Sequence, residues 1–260
     1  MSVMPAVDFG KAADDYGRHR AGFPPAFVKR LTPLGLGLSG QRILDLGTGT
    51  GTLARQFAQA GCRVSALDVS EQMLAQAKIK DAEAGVTIDY RVGKAEDPPF
   101  DSGEFDMIVA GQCWHWFDRA RAADAALRML NPGGGLVIAH FDWIPLDQNV
   151  VALTESLIKK HNPAWRFAGG TGMYPAWLAD MARAGFVERE TFSFDLDVAY
   201  SQEAWRGRIR ASAGIGASLS PDLVTAFDDE HATLLRNKYA GAILQVPHRV
   251  WAVVARKMQG

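Results

Sequence analysis

Arg42-Ile43-Leu44-Asp45-Leu46-Gly47-Thr48-Gly49-Thr50-Gly51-Thr52-Leu53-Ala54 decides the fold. Ile43, Leu44 and Leu46 suit a short buried strand. Gly47, Gly49 and Gly51 allow a tight turn and leave main-chain N–H groups open to a ligand. Thr50 or Thr52 can cap a following helix. Asp45 sits on the strand side of the glycines and aims a carboxylate at whatever the turn holds. A pyrophosphate there would meet a like charge, whereas a ligand carrying a cation would be attracted.

The same strand–turn–helix alternation runs outward from this stretch. A helix is predicted from Thr50 to Ala60, stopped by Gly61. Strand two is predicted from Arg63 to Leu67, and Ser70 caps a helix running to Ala84. Strand three covers Val86 to Val92 and strand four Phe105 to Ala110. A helix from Asp118 to Leu130 stops at Asn131-Pro132-Gly133-Gly134-Gly135, and strand five is Leu136 to Phe141. This order predicts an α/β doubly wound parallel sheet with right-handed crossovers.

Beyond Trp143 the spacing gives helices at Gln148 to Lys160 and Pro175 to Ala184, then a sixth strand from Phe186 to Leu196. Helices Ser201 to Ala217 and Pro221 to Tyr239 precede a last strand from Ile243 to Ala255. Pro247 argues that this strand lies at an edge or carries a bulge. Upstream, residues 9–30 read as a helical arm broken by Pro24 and Pro25. The expected organisation is an arm over 1–40 and one α/β domain over 41–260, with a helical cap inserted at 201–240.

Composition narrows the function. The 260 residues are 48% apolar and 22% charged, with a net charge of -1. That balance offers no electrostatic footprint for nucleic acid or for a membrane surface. Two cysteines, Cys62 and Cys113, suggest a reducing compartment. No apolar run approaches the roughly 20 residues of a membrane span, and Met1 to Arg20 lacks a signal-peptide core. A cytoplasmic protein is expected. The histidines show no metal-ligand spacing, so no metal is expected.

Ligands of open α/β sheets bind beyond the carboxyl ends of the strands. Asp68 closes strand two, where a carboxylate can accept both hydrogen bonds of a ribose diol. A nucleoside is therefore expected. Two kinds of cofactor fit: a nicotinamide or flavin dinucleotide, and S-adenosylmethionine. Gly49-Thr50-Gly51-Thr52-Leu53-Ala54 also matches the dinucleotide fingerprint. Asp45 discriminates, because S-adenosylmethionine carries an ammonium and a sulfonium and no phosphate.

Asp45-Leu46-Gly47-Thr48-Gly49-Thr50-Gly51 resembles the first motif of class I S-adenosylmethionine-dependent methyltransferases. Asp68-Val69-Ser70 with Met73-Leu74 resembles the second, and Gly93-Lys94-Ala95-Glu96-Asp97-Pro98-Pro99-Phe100 with Phe105-Asp106 the third. Leu130-Asn131-Pro132-Gly133-Gly134 resembles the turn before the fifth strand. Trp114-His115-Trp116-Phe117 and the arm Tyr16-Gly17-Arg18-His19-Arg20-Ala21-Gly22-Phe23-Pro24 are similar to the type 11 small-molecule branch, which includes trans-aconitate methyltransferases. The resemblance covers roughly residues 8 to 141 and departs at Pro98-Pro99-Phe100, where Leu-Pro-Phe is commoner. It implies a Rossmann-like, seven-stranded, mostly parallel sheet with an antiparallel last strand.

The resemblance also implies roles. The backbone of Gly47, Thr48 and Gly49 would hold the methionine portion, and Asp68 the ribose. Val69 and Met73 would flank the adenine, with Ala95 and Glu96 at its edge. Gln112 and Cys113 would line the floor near the methyl group, and Tyr16 and Arg20 would close over it. For the methyl acceptor, a small molecule, His115 is the first candidate general base and His140 the second. Each is also readable as a packed core histidine. Trp116 and Trp143 are candidate substrate-facing aromatics. Arg206, in a helix with Arg208 and Arg210, is a candidate carboxylate binder against the simpler reading of a solvated basic face. Two rivals remain at this stage: a nicotinamide-dependent oxidoreductase, and a non-catalytic S-adenosylmethionine-binding module.

Overall fold

Ile43 to Leu46 are all buried and form β1, Arg42–Leu46, which only an interior strand can do. The computed structural model describes residues 21–260. Tyr16 and Arg20 lie outside the described residues. Among the described residues the first helix is α1, Pro25–Leu31. Pro25 occupies its first turn, where a missing N–H costs nothing, so the proline pair starts a helix. There follow α2 (Thr52–Gln59), β2 (Arg63–Asp68), α3 (Glu71–Ala84), β3 (Asp89–Val92), β4 (Phe105–Gly111), a short 3-10 turn (Trp114–Trp116), α4 (Arg119–Met129) and β5 (Leu130–Trp143). Then come α5 (Val150–His161), α6 (Ala176–Ala184), β6 (Val187–Ser201), α7 (Gln202–Arg210), α8 (Pro221–Lys238) and β7 (Ile243–Arg256).

The sheet order is β3-β2-β1-β4-β5-β7-β6. It is mostly parallel with one antiparallel pair, the Rossmann-like arrangement expected. β1 pairs in parallel with β2 on one side and with β4 on the other. The chain winds away from β1 in both directions, so the switch point lies at the β1/β4 boundary and opens a crevice at the strand ends.

The chain divides into two compact units. The larger takes in Gly22–Phe141, Met173–Phe194 and Val250–Gly260. Its core joins Leu44 and Leu46 of β1 with Ile108 and Ala110 of β4, Leu136 and Ile138 of β5, and Trp114, Trp177 and Trp251. The second unit, among the described residues, draws on Asp142–Gly172 and Asp195–Arg249. Its separate core includes Ile158, Trp165, Trp205, Ile209, Phe227 and Val246.

Several boundaries differ from the sequence reading, each for a physical reason. β3 starts at Asp89 rather than Val86, because it is an end strand whose pairing with β2 begins at Ser65 opposite Asp89. β5 starts at Leu130, since Leu130 already pairs with Phe105 and the next pairing is Gly135 with Met107. Asn131 to Gly134 form a bulge inside the strand. α7 ends at Arg210 rather than Ala217, where Gly214 packs against Ile158 and Trp165 too closely to tolerate a side chain. β7 is interior rather than an edge strand. Pro247 is tolerated because its carbonyl accepts from Ile144, just past the end of β5. Its missing N–H therefore faces a neighbour that has already left the ladder.

Beneath the glycine turn, Arg55 of α2 lies 2.9 Å from the buried carboxylate of Asp81 in α3. The same guanidinium donates to the Thr50 and Ala77 carbonyls. Asp81→Ala would strand that charge, and the expected loss is about 3 kcal/mol of stability. Urea unfolding should show a lower midpoint with an unchanged slope; an unmoved midpoint would mean that the pair contributes nothing net.

Candidate functional site

Asp45, at the carboxyl end of β1, is 2% exposed, and the Thr48 hydroxyl donates to it over 2.7 Å. Burial pushes its carboxyl up to about 7, against the lowering effect of the Thr48 bond, and the charge of nearby Asp68 adds to the rise. The turn after β1 folds over β2, with Thr48 N–H donating to the Leu67 carbonyl. Gly47 has φ +63°, and a Cβ there would lie 2.9 Å from Cys113 Cβ and Sγ and 3.1 Å from the Phe117 ring. No side chain fits. Gly51, at φ +73°, closes the turn as the N-cap of α2, and a Cβ would meet the Tyr90 hydroxyl at 2.4 Å.

Asp68 ties two elements together. One carboxylate oxygen accepts from Gly49 N–H at 2.8 Å and the other from Ser70 N–H at 2.9 Å. Ser70 in turn caps α3 through Met73 N–H. Met73 Cε lies 3.8 Å from the position a Gly49 Cβ would take. Val69, at 67% exposure, flanks the same turn. Thus Asp45, Gly47, Thr48, Gly49, Gly51, Asp68, Val69 and Met73 are gathered at one strand-end cradle.

The other expected residues arrive with differences. The Ala95 methyl is packed in the core, which leaves only its main chain for a ligand. Glu96 accepts from Asp118 N–H at 2.8 Å, at the N-terminus of α4, so its carboxylate already has a structural task. Cys113 Sγ donates to the Leu46 carbonyl at 3.0 Å. Gln112 adopts φ +60°, a strained conformation for a non-glycine residue. Its N–H donates to the Ala139 carbonyl and its amide to that of Phe141, which fixes the end of β4 to β5.

His115 and His140 come together, with ring centroids 5.1 Å apart. His115 is exposed beside Trp116, at 4.6 Å, while His140 is buried against Tyr174 at 4.4 Å and Trp177 at 5.0 Å. The sequence reading missed Tyr174 and Trp177. Tyr174 and Trp177 precede and open α6, far along the chain, and carry no local signal for this contact.

Trp143 and Arg206 fall in the second unit. Arg206 pairs with both carboxylate oxygens of Asp228 and with Glu203 at 2.9 Å. Arg210 shares the same two partners. The guanidinium of Arg206 is thus committed to joining α7 and α8, which corrects its reading as a ligand-binding group. Arg208, named with Arg206 and Arg210 in the basic helix, lies over the Trp143 ring with Cζ 4.8 Å from the centroid. Among the described residues, no group of three or more His, Cys, Asp or Glu could hold a metal ion, and no helix is long and apolar enough to cross a membrane.

The cradle is acidic. Gly49 N–H, which a pyrophosphate would need, is taken by Asp68, and the neighbouring guanidinium of Arg55 is taken by Asp81. An anion has little to bind here, whereas a cationic nucleoside meets two carboxylates.

The methyltransferase-domain family matches residues 44–138. An uncharacterized methyltransferase of Mycobacterium tuberculosis is 36% identical over 131 residues, 50% of this chain and 51% of that one. The chain thus spans about half the length of the mycobacterial relatives it matches. A ubiquinone biosynthesis O-methyltransferase of Xanthomonas oryzae pv. oryzae is 29% identical over 180 residues, 68% of this chain and 73% of that one. Among solved structures, the YcgJ protein of Bacillus subtilis superposes with a TM-score of 0.58 at 17% identity, covering 90% of this chain and 98% of that chain. The phosphoethanolamine N-methyltransferase 2 of Haemonchus contortus, in complex with S-adenosyl-L-methionine, superposes with a TM-score of 0.56 at 20% identity, covering 96% and 57%. These two structures share the fold.

Proposed function

We propose that this chain is a class I methyltransferase that transfers a methyl group from S-adenosylmethionine to a small-molecule acceptor, a reading supported by the methyltransferase-domain match over residues 44–138. The observation that carries the proposal is the pair of carboxylates, Asp45 and Asp68, at a glycine turn whose Gly49 N–H is already spoken for. The name of the Xanthomonas relative and the complex of the Haemonchus enzyme support the same cofactor and a small acceptor. The residues fit that group: a Cβ-free cradle at Gly47, a buried carboxylate for an ammonium, and a strand-end carboxylate for a ribose. Two buried free cysteines, Cys62 and Cys113, support a reducing cytoplasmic setting.

When bound, the cofactor would supply an activated sulfonium methyl group for transfer to the acceptor. The protein's share is positioning and exclusion of water. Asp45 holds the amino-acid end, Asp68 the ribose, the Ala95 main chain the adenine edge, and Gln112 and Cys113 line the floor. Val69 and Met73 flank the base. Trp116, exposed beside His115, faces the acceptor. Any proton on the acceptor goes to His115, with His140 beside it orienting the ring.

Calorimetry with S-adenosylhomocysteine and with NADH tests the cofactor; heat from NADH alone would replace this reading with an oxidoreductase. His115→Ala is expected to lower kcat about a hundredfold on an acceptor that must lose a proton, leaving S-adenosylhomocysteine affinity unchanged. His140→Ala should lower it about tenfold and shift the pH profile that His115 sets. Full turnover in His115→Ala would remove the base.

A further inference from the structure

Arg55 of α2 sends its guanidinium to the underside of the glycine turn. Its side chain is 15% exposed and that of its partner Asp81 only 6%. A buried ion pair adds little net stability, because the desolvation of both charges offsets their attraction. Its use here lies in where the guanidinium fork goes next. Nε faces Asp81, while Nη2 donates to the Thr50 carbonyl at 3.0 Å and to the Ala77 carbonyl at 3.2 Å. One side chain of α2 thus ties the turn to α3. Tyr90 of β3 closes the same space, with its hydroxyl facing Asp81 and standing where a Gly51 side chain would go.

A trans peptide points its C=O and its N–H in opposite directions, so holding one aims the other. Arg55 holds the C=O of the Thr50–Gly51 peptide. The Gly51 N–H is thereby turned to the Thr48 carbonyl, to which it donates over 3.0 Å. That bond in turn holds the C=O of the Thr48–Gly49 peptide. The Gly49 N–H is thereby turned to Asp68, to which it donates over 2.8 Å. Two peptides carry the orientation set by Arg55 across the turn to the strand-end carboxylate. All of these residues belong to the larger unit. Gly49, at φ +57°, has no side chain to keep it in that conformation, so the hold must come from outside the turn.

We propose that Arg55 is a positioning residue for the cofactor: braced by Asp81 and Tyr90, it sets the peptides of the turn over 47–51 and so places Asp68 for its ligand. This rests on the methyltransferase reading above. Arg55 acts from behind the turn, through the Thr50 carbonyl.

The test compares the full wild-type chain with two variants. Arg55→Lys keeps a charge for Asp81 but gives up the fork that reaches both carbonyls. Arg55→Met/Asp81→Asn removes both charges and strands neither. Amide exchange by NMR, without ligand, should show protection at Gly49 and Gly51 falling at least ~10-fold more than at Val109 of β4, the size expected for one lost bond to a charged group. Calorimetry should show S-adenosylhomocysteine binding ~10-fold weaker in Arg55→Lys and ~30-fold weaker in the double variant. A general loss of stability would lower protection at Val109 as much as at the glycines, and that result overturns the proposal. So does a wild-type chain whose Gly49 and Gly51 amides exchange as fast as open loop, or a loosened turn with unchanged affinity. If the double variant does not fold, Arg55→Lys decides alone. Failure of the wild-type chain to bind S-adenosylhomocysteine removes the methyltransferase reading and the role in cofactor binding with it; the exchange measurement then still decides whether Arg55 holds the turn.

Discussion

Asp68→Ala is expected to weaken S-adenosylhomocysteine binding about a thousandfold, or about 4 kcal/mol, measured by calorimetry on protein whose melting temperature has been checked. Two effects add. The carboxylate would accept from a ribose diol, and each charge-assisted bond of that kind is worth about 1.5–3 kcal/mol. The same carboxylate also holds Gly49 N–H at 2.8 Å and Ser70 N–H at 2.9 Å, so its loss frees the turn after β1 and loosens the start of α3. The conservative Asp68→Asn keeps one carbonyl oxygen and should fall between, at a loss of about thirtyfold. An affinity within tenfold of wild type in Asp68→Ala would take the ribose away from this residue and leave the carboxylate as a loop brace alone.

Such a double role shows which parts of the site a sequence can carry. The β1 turn was legible because everything it needs is local: apolar residues for a buried strand, glycines at positive φ, and a carboxylate two residues before the first of them. Asp68 was legible for the same reason, standing at the end of a short strand. Glu96 follows β3 in sequence, but its partner was not visible there. Its carboxylate serves Asp118 N–H at the start of α4, a contact made by packing across 22 residues. The meeting of His115 with His140 follows from β4 and β5 being neighbours, which the doubly wound order implies. Their aromatic wall does not follow from it. Tyr174 and Trp177 reach His140 because α6 returns to the larger unit after a long excursion, and no periodicity reports that return.

The arginines of α7 show a sharper limit. Spacing alone says that Arg206 and Arg208 face opposite ways, but not which face meets α8. Asp228 decides it: Arg206 and Arg210 bind it, and Arg208 is left to Trp143. The bulge at Asn131 to Gly134 and the interior place of Pro247 belong to the same class. The first was read as a helix stop and turn and the second as the mark of an edge strand or a bulge, and in both the pairing is set by a neighbouring strand that local composition does not specify.

Asp45 gives the other large expected effect, and its pH dependence has opposite signs for stability and for binding. Its carboxyl titrates at about 7 in the folded chain because burial disfavours the charge, against 3.8 when unfolded. Between those values the native state keeps a proton that the unfolded state has lost, so stability falls as pH rises through that window. The full effect is of order 4 kcal/mol above pH 7. Asp45→Asn should flatten this slope and be the more stable protein at pH 8. Binding runs the other way. An ammonium needs the ionised carboxylate, so S-adenosylhomocysteine affinity should rise between about pH 5.5 and 7.5, with release of up to about one proton seen in buffers of different ionisation enthalpy. Asp45→Asn should lose that pH dependence and bind several hundredfold more weakly at pH 8, a loss of about 3.5 kcal/mol. A variant that gains stability but keeps full affinity would separate the two effects and move the ammonium to another partner. Loss of affinity together with loss of fold at pH 8 would mean that the Thr48 bond, not the charge, is what Asp45 provides.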